Sequence, residues 1–249
     1  MIIYKNMTST HNSAGRLGNQ IIRNIAVSLI AKKHDLFVDY NHYEIINNFG
    51  IDLFVGEKNY NTMINLNDDN YLSILAKNTL ESNVDAKYSF FQTKDITDLV
   101  YKYLQNNKQC IIEKNPFESR YNNNNDIFIH IRLTDCEKYN PGINYYLKAI
   151  SNINFTNLYI STDDANHSII QYIIEKYPNT IMIDYCEIKT FQFGSTCKYI
   201  ILSHGSFSAL IGYLAFFSTV CYPEYDKDKI WYGDMFSIDG WNKIDSFIE

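Results

Sequence analysis

The chain has no run of apolar residues approaching the roughly 18 needed to span a bilayer as a helix. Its first residues, 1–13, are too polar for a signal peptide. A soluble, cytoplasmic protein without a membrane span is the expectation. No Cys-x-x-Cys pair occurs either: Cys110, Cys136, Cys186, Cys197 and Cys221 are scattered and odd in number. That pattern argues against a zinc site and a disulfide framework and predicts reduced, mostly buried thiols. A cationic surplus is also missing. With a formal charge of -6 and dispersed lysines, a general nucleic-acid or anionic-membrane surface is not expected, so any anion site must be built from specific residues. The Gly-Lys-Ser/Thr ending of a P-loop, a GxSxG elbow, HExxH and a Cys-His arrangement are all absent.

Arginine is the scarce cation. Arg16, Arg23, Arg120 and Arg132 are the only four among 22 basic residues. Two of them lie in the most distinctive segments, Gly15-Arg16-Leu17-Gly18-Asn19-Gln20 and Ile129-His130-Ile131-Arg132-Leu133-Thr134-Asp135, whereas Arg23 sits inside a helical pattern. A planar guanidinium grips phosphate or carboxylate through two parallel hydrogen bonds where lysine offers a point charge. The alternative is that Arg132 simply pairs with Asp135 as structural glue.

With 249 residues, 46% of them hydrophobic, the chain can bury a substantial core, in one large domain or two small ones. The second half is regular. Short β-rich runs fall at 127–131, 158–161, 180–184, 199–203 and 219–222, and helical spacing fills the gaps: Tyr146, Ala149, Ile150 and Ile153, then Ile169, Ile170, Ile173, Ile174 and Tyr177 before Pro178. This alternation predicts an α/β fold with a parallel sheet, because parallel neighbours need a crossover connection. Ligands then bind beyond the carboxyl ends of the strands, where His130, Arg132, Asp163, Asp164, Ser203 and His204 fall. The first half suggests a βαβ start: strands at 2–4 and 36–38 around a helix with Ile22, Ile25, Ala26, Leu29 and Ile30 on its apolar face. Between 41 and 114 the pattern is diffuse. The polar run 122–125, with Pro116 before it, reads as a linker between two lobes.

The two glycines Gly15 and Gly18 before an amphipathic helix let the backbone approach a ligand and aim N–H groups at an anion. A tight turn capped by Asn19 is the plainer reading. In His130-Ile131-Arg132, strand alternation sends His130 and Arg132 to one face and Ile131 to the other, and Asp135 is placed to orient the arginine. A hydrogen-bonded core histidine is the plainer reading of His130. Ser203-His204-Gly205-Ser206-Phe207-Ser208 follows a strand and opens a helix, a second anion-receptive place, or else a helix N-cap at Ser206. Asp163 and Asp164 suit a sugar hydroxyl, or a solvated turn.

Taken in order, these segments resemble the fucosyltransferases that share an HxRRxD-type motif, especially the α1,2-fucosyltransferase family. Gly15 to Gln20 is also similar to the start of protein O-fucosyltransferases. Residues 129–135 look like the HxRRxD segment, 159–164 like a strand ending in Ser-Asp-Asp, and 206–212 like a Ser-Phe-Ser-x-x-x-Gly helix start. The resemblance implies a two-lobed, GT-B-like glycosyltransferase with Rossmann-like halves: residues 1–120 as the acceptor-side lobe and 121–249 as the lobe that binds a nucleotide-sugar donor. It implies inverting transfer of fucose from GDP-fucose to a hydroxyl of a glycan acceptor, α1,2-linked, with no metal or other cofactor. By the same match Arg132 holds the donor β-phosphate, a charge-assisted contact worth ~3 kcal/mol of barrier in a dry cleft. His130 and Asp135 shape the diphosphate pocket. Arg16, Gly18 and Asn19 approach donor or acceptor, and Asp163, Asp164, His204, Ser206, Phe207 and Ser208 line the donor side. The chain departs from the family at Leu133, where the second arginine belongs, and at Ala209-Leu210, where an aromatic pair often follows. A different nucleotide sugar, or a non-catalytic glycan- or nucleotide-binding module, are the other readings. Asp135, Glu137 and Asp39 are the carboxylates at strand ends that qualify as general base.

Overall fold

The computed structural model describes residues 7–11, 15–224 and 233–245. It divides into two compact units, Met1–Lys114 and Asn115–Glu249. The expected strand at 2–4 lies outside the described residues.

The first unit runs β1 (Thr8–Ser9), α1 (Leu17–His34), β2 (Val38–Asp39), α2 (Tyr43–Asn48), β3 (Met63–Asn65), α3 (Tyr71–Ala76), β4 (Asn83–Asp85), α4 (Lys94–Asn106) and α5 (Lys108–Glu113). Its four strands are parallel in the order β2-β1-β4-β3. Helix α1 carries Ile21, Ile22, Ile25, Ala26 and Ile30 into the core. It ends where Asp35 turns left-handed at φ 58, behind Lys32, Lys33 and His34, which suit the negative end of the helix dipole. Helix α4 buries Ile96, Val100 and Leu104, spaced by four, and packs on α1. The expected strand at 36–38 begins only at Val38, and Leu36 makes an isolated bridge to Lys58.

The second unit contains β5 (Ile127–Ile131), α6 (Ile143–Ser151), β6 (Leu158–Thr162), α7 (Ser168–Lys176), β7 (Thr180–Met182), α8 (Glu187–Gly194), β8 (Tyr199–Ile201), α9 (Gly205–Tyr213), β9 (Thr219–Pro223) and β10 (Asn242–Ile244). Its six parallel strands lie in the order β10-β9-β8-β5-β6-β7. The chain builds β5, β6 and β7 in one direction, then returns to place β8 on the other side of β5. The strand order therefore reverses between β5 and β8, and in open α/β sheets ligands bind at the carboxyl ends of the strands at such a switch point.

Strand β5 is buried on both faces. Ile127, Ile129 and Ile131, continued by Leu133, pack with Tyr145, Tyr146, Ala149 and Ile150 of α6 and with Ile170 and Ile173 of α7. On the other face Phe128 meets Phe193 edge-on, with centroids 6.4 Å apart. A Cβ on Gly194 would stand 2.7 Å from the Phe128 ring, so α8 approaches this closely only because that residue is glycine.

The polar run 122–125 is not a linker; it is folded into the second unit. The Asn124 side chain donates to the carbonyls of Arg120 (2.6 Å) and Thr196 (2.9 Å) and accepts from the Asp126 and Lys198 N–H groups. Asparagine amides here do the work of backbone pairing, so a turn-prone composition marks a fixed loop. The unit boundary accordingly falls at 114/115 rather than 120/121.

Candidate functional site

The switch point brings two short loops together at the carboxyl end of the second unit's sheet, one after β5 and one after β8. From β5, Arg132 lays its Nε and Nη2 edge on Asp135. Nη2 donates to Oδ1 at 2.6 Å and Oδ2 at 2.8 Å, and Nε to Oδ1 at 2.9 Å. Asp163, at the end of β6, lies 3.2 Å from the same Nε. Two carboxylates thus hold one edge of the fork, while Nη1 makes no hydrogen bond to a described residue.

Asp163 also organises the loop. Its carboxylate accepts from Leu133 N–H (2.7 Å), Thr134 N–H (3.4 Å) and the Thr134 hydroxyl (2.7 Å). Burial works to raise its pKa, but these hydrogen bonds and the Arg132 charge outweigh it and hold the carboxyl below its ordinary value. Asp164 does not join the cluster. It closes a turn, accepting from Asn166 N–H at 3.0 Å and donating its own N–H to the Thr162 hydroxyl.

His130 points the same way as Arg132, as alternation predicts. Its Nδ1 lies 2.6 Å from the Ser208 hydroxyl on α9, and its ring meets Phe207 at 4.9 Å. Ser208 Oγ also accepts the Ser203 N–H at 3.1 Å, which ties His130 to the loop after β8. Burial, then the Arg132 and His204 charges, push the His130 pKa down to about 3, against an opposing effect of Asp163. His130 is therefore neutral and held in place by Ser208, a hydrogen-bonded core histidine beside the arginine.

His204 forms the N-cap of α9 through its backbone, so Ser206 is a first-turn residue and not the cap. Gly205, at φ +85, allows the turn. His204 Nδ1 lies 3.1 Å from the Ser203 hydroxyl, and its buried Nε2 has no hydrogen-bond partner among the described residues. Burial first, then Arg132, lower its pKa to about 4; Asp163, Asp135 and the Cys136 backbone work the other way, the last without meeting hydrogen-bond geometry at Nε2. Phe207 stacks on Phe191 with centroids 4.1 Å apart, which fixes its place beside His130.

Both histidines are neutral when folded and titrate near 6.5 when unfolded, so the unfolded chain binds more protons below pH 6.5. Their stabilising contribution is full above pH 6.5 and is lost as pH falls toward 4 and then 3. The unfolding free energy from urea titrations should fall over that window, by up to about 1.4 kcal/mol per pH unit for each histidine. Replacing both by glutamine should flatten this slope.

The sequence pointed to neither Asn140 nor Tyr139. Asn140 Nδ2 holds the Arg132 carbonyl (2.9 Å) and the Tyr146 hydroxyl (3.0 Å). The Tyr139 ring stands 6.1 Å from His204. The turn signal Asn140-Pro141-Gly142 was the one trace of this support.

In the first unit, Gly15 (φ +89) precedes α1, whose N-cap is Arg16 and not Asn19. Gly18 is buried in the first turn, and the Asn19 side chain accepts from Gln92 at 2.6 Å. Arg16 is exposed at the surface of this unit. Arg23, which seemed remote from the motif, is fully buried. It donates to Gln20 Oε1 (2.9 Å) and to the Ser89 carbonyl (3.0 Å), and burial lowers its pKa. It is a structural cation beneath the motif.

No protein-family model matches the chain, and no curated protein matches it. Solved structures do. NodZ, an α-1,6-fucosyltransferase co-crystallised with GDP, is 10% identical over 87% of this chain and 94% of its own, with a TM-score of 0.52. The E. coli heptosyltransferase WaaC with ADP-2-deoxy-2-fluoro heptose is 8% identical, covering 96% and 93% at 0.48. Arabidopsis thaliana FUT1 in complex with GDP is 10% identical, covering 91% and 72% at 0.45. The likeness rests on the first of these and is one of fold. The chain is a mixed α/β protein with a parallel sheet in each unit, and its fold is like that of NodZ. No helix among the described residues is long and apolar enough to cross a membrane.

Proposed function

We propose that the chain is a glycosyltransferase that moves fucose from GDP-fucose to a hydroxyl of a glycan acceptor, by inversion, without a metal, and with an α1,2 linkage. The observation that carries this is Arg132 at the switch point: one edge is pinned by Asp135 and Asp163, and Nη1 is left for a phosphate oxygen. As the bond from the sugar C1 to the β-phosphate oxygen breaks, the electron pair leaves with the phosphate, and Arg132 meets the growing charge. His130, neutral and held by Ser208, and the N-terminus of α9 border the same place, their positions set before the reaction. Ser206, Phe207 and His204 line the donor side, and Asp163 orients the arginine and its loop. The second unit is the donor-binding half and the first the acceptor-side half, to which Arg16, Gly18 and Asn19 belong.

Leu133 bears on the alternatives. Its side chain is 1% exposed and fills the core with Tyr145 and Tyr146, so the phosphate meets one arginine from this loop where the family pattern has two. Calorimetry with GDP-fucose, GDP-mannose and UDP-sugars in the presence of EDTA tests the reading. The expected result is selective binding of GDP-fucose that EDTA does not alter. Preference for another sugar nucleotide would move the donor assignment, loss of binding in EDTA would overturn metal independence, and donor binding without turnover would favour a non-catalytic module.

A further inference from the structure

The amino end of the second unit's sheet holds a cavity of about 290 Å³. It lies between the loop that leads into β6 and the turn from α7 to β7, and Leu158 and Thr180, the first residues of those two strands, border it. Arg132 follows the last residue of β5, at the other end of the same parallel sheet. Strand β6 runs five residues between the two ends, at about 3.3 Å per residue. The cavity is therefore no part of the site at the switch point.

Both of its walls are tied down. On one side Asn125 Nδ2 donates to the Asn154 carbonyl at 2.7 Å, and Thr156 N–H donates to the Asn125 carbonyl at 2.8 Å. On the other, the Thr180 N–H (3.0 Å) and hydroxyl (2.7 Å) both donate to the Tyr177 carbonyl. The Phe155 and Tyr177 rings, half-buried against the core, meet edge-on with centroids 6.2 Å apart and line the space together with Pro178. Thr156, Lys176 and Asn179 supply the polar part, and their side chains make no hydrogen bond to a described residue.

Charge and size narrow what can bind. Helix α7 ends here, and Pro178 has no N–H to give the Ile174 carbonyl four residues before it, so the last turn keeps acceptors to spare. The negative end of the helix dipole works against a phosphate or carboxylate, and the one lysine offsets it without reversing it. The volume is near the lower bound of roughly 300 Å³ for ligand sites, which fits a single ring and not a nucleotide. The matching ligand has an apolar face for the aromatic rings, no net charge, and hydroxyls that both donate and accept.

We propose that this cavity holds one neutral hexose ring of a glycan. Its C–H face lies on Phe155 and Tyr177, and its hydroxyls bond Lys176, Asn179 and the carbonyls that end α7. The site is separate from the donor place and independent of the donor assignment.

Saturation-transfer NMR on the full chain tests this, with methyl β-galactoside, methyl β-glucoside and methyl β-glucuronide as probes. The expected result is transfer to the ring protons of a neutral glycoside, stronger than to the glucuronide and unchanged by excess GDP. Lys176→Ala combined with Asn179→Ala should weaken that binding by about tenfold, the usual cost of two lost hydrogen bonds. Thr156→Trp, which fills the cavity from an exposed position and leaves both rings in place, should abolish it. No transfer to either neutral glycoside, a preference for the glucuronide, displacement by GDP, or a signal undiminished in both variants would overturn the proposal. A wild type that binds a neutral glycoside but not GDP-fucose would leave this site standing and remove the donor reading.

Discussion

Arg132→Ala is expected to lower kcat/KM for fucosyl transfer by about 10²–10³-fold, the usual loss when one group that stabilises a developing negative charge is removed. Arg132→Lys should recover only a small part. Lysine keeps the charge but cannot lie edge-on against Asp135 while presenting a second nitrogen outward. The control is Lys148→Ala. Lys148 lies in the last turn of α6, exposed, at the far edge of the sheet. If Arg132→Ala and Lys148→Ala behave alike, Arg132 has no part in holding the leaving group. Calorimetry on both variants separates weaker donor binding from a slower chemical step.

The second large effect concerns stability. Asp126, 4% exposed, accepts from Arg120 at 2.8 Å and from Asn157 at 2.8 Å, just before β5 begins. Arg120 lies over the Phe193 ring at 4.5 Å and donates to Thr196. Asp126→Ala leaves a partly buried guanidinium facing aromatic rings without its anion, and urea unfolding should show a loss of about 3 kcal/mol. Adding Arg120→Met should return part of that loss, because the stranded charge goes with it. A double variant no more stable than Asp126→Ala alone would mean that the charge pair is not what the site depends on. Donor affinity should stay unchanged, since the pair lies at the opposite end of β5 from Arg132.

The second unit was legible in the sequence because its strands and most of its helices keep a clear period. Helix α8 was harder to see: Thr190 to Gly194 are all buried, so the apolar and polar residues do not alternate around it. In the first unit the strands β3 and β4 are three residues each, too short to show a period. Side-chain amides hold the loops between them; Asn83 alone bonds Asn59, Tyr60 N–H and the Tyr60 carbonyl. Within the site, the Arg132–Asp135 pair was readable because its partners are three residues apart. The Ser208–His130 bond was not, because the partners are 78 residues apart and meet only through the sheet. The burial of Arg23 was hidden for a related reason: helical spacing said nothing of Ser89, 66 residues away, which receives it.

The reversal of strand order between β5 and β8 also sets when the site can exist. Its parts come from the end of β5, the end of β6 and the start of α9, and α9 is placed only after β8 pairs with β5, Tyr199 beside Ile127. That pairing closes a long loop, which is an entropically slow step in parallel sheets. Ser208 reaches His130 only once the loop has closed. A chain still folding can carry a complete β5-to-β7 half and yet lack the Ser208–His130 contact, so the two loops meet only in the finished fold.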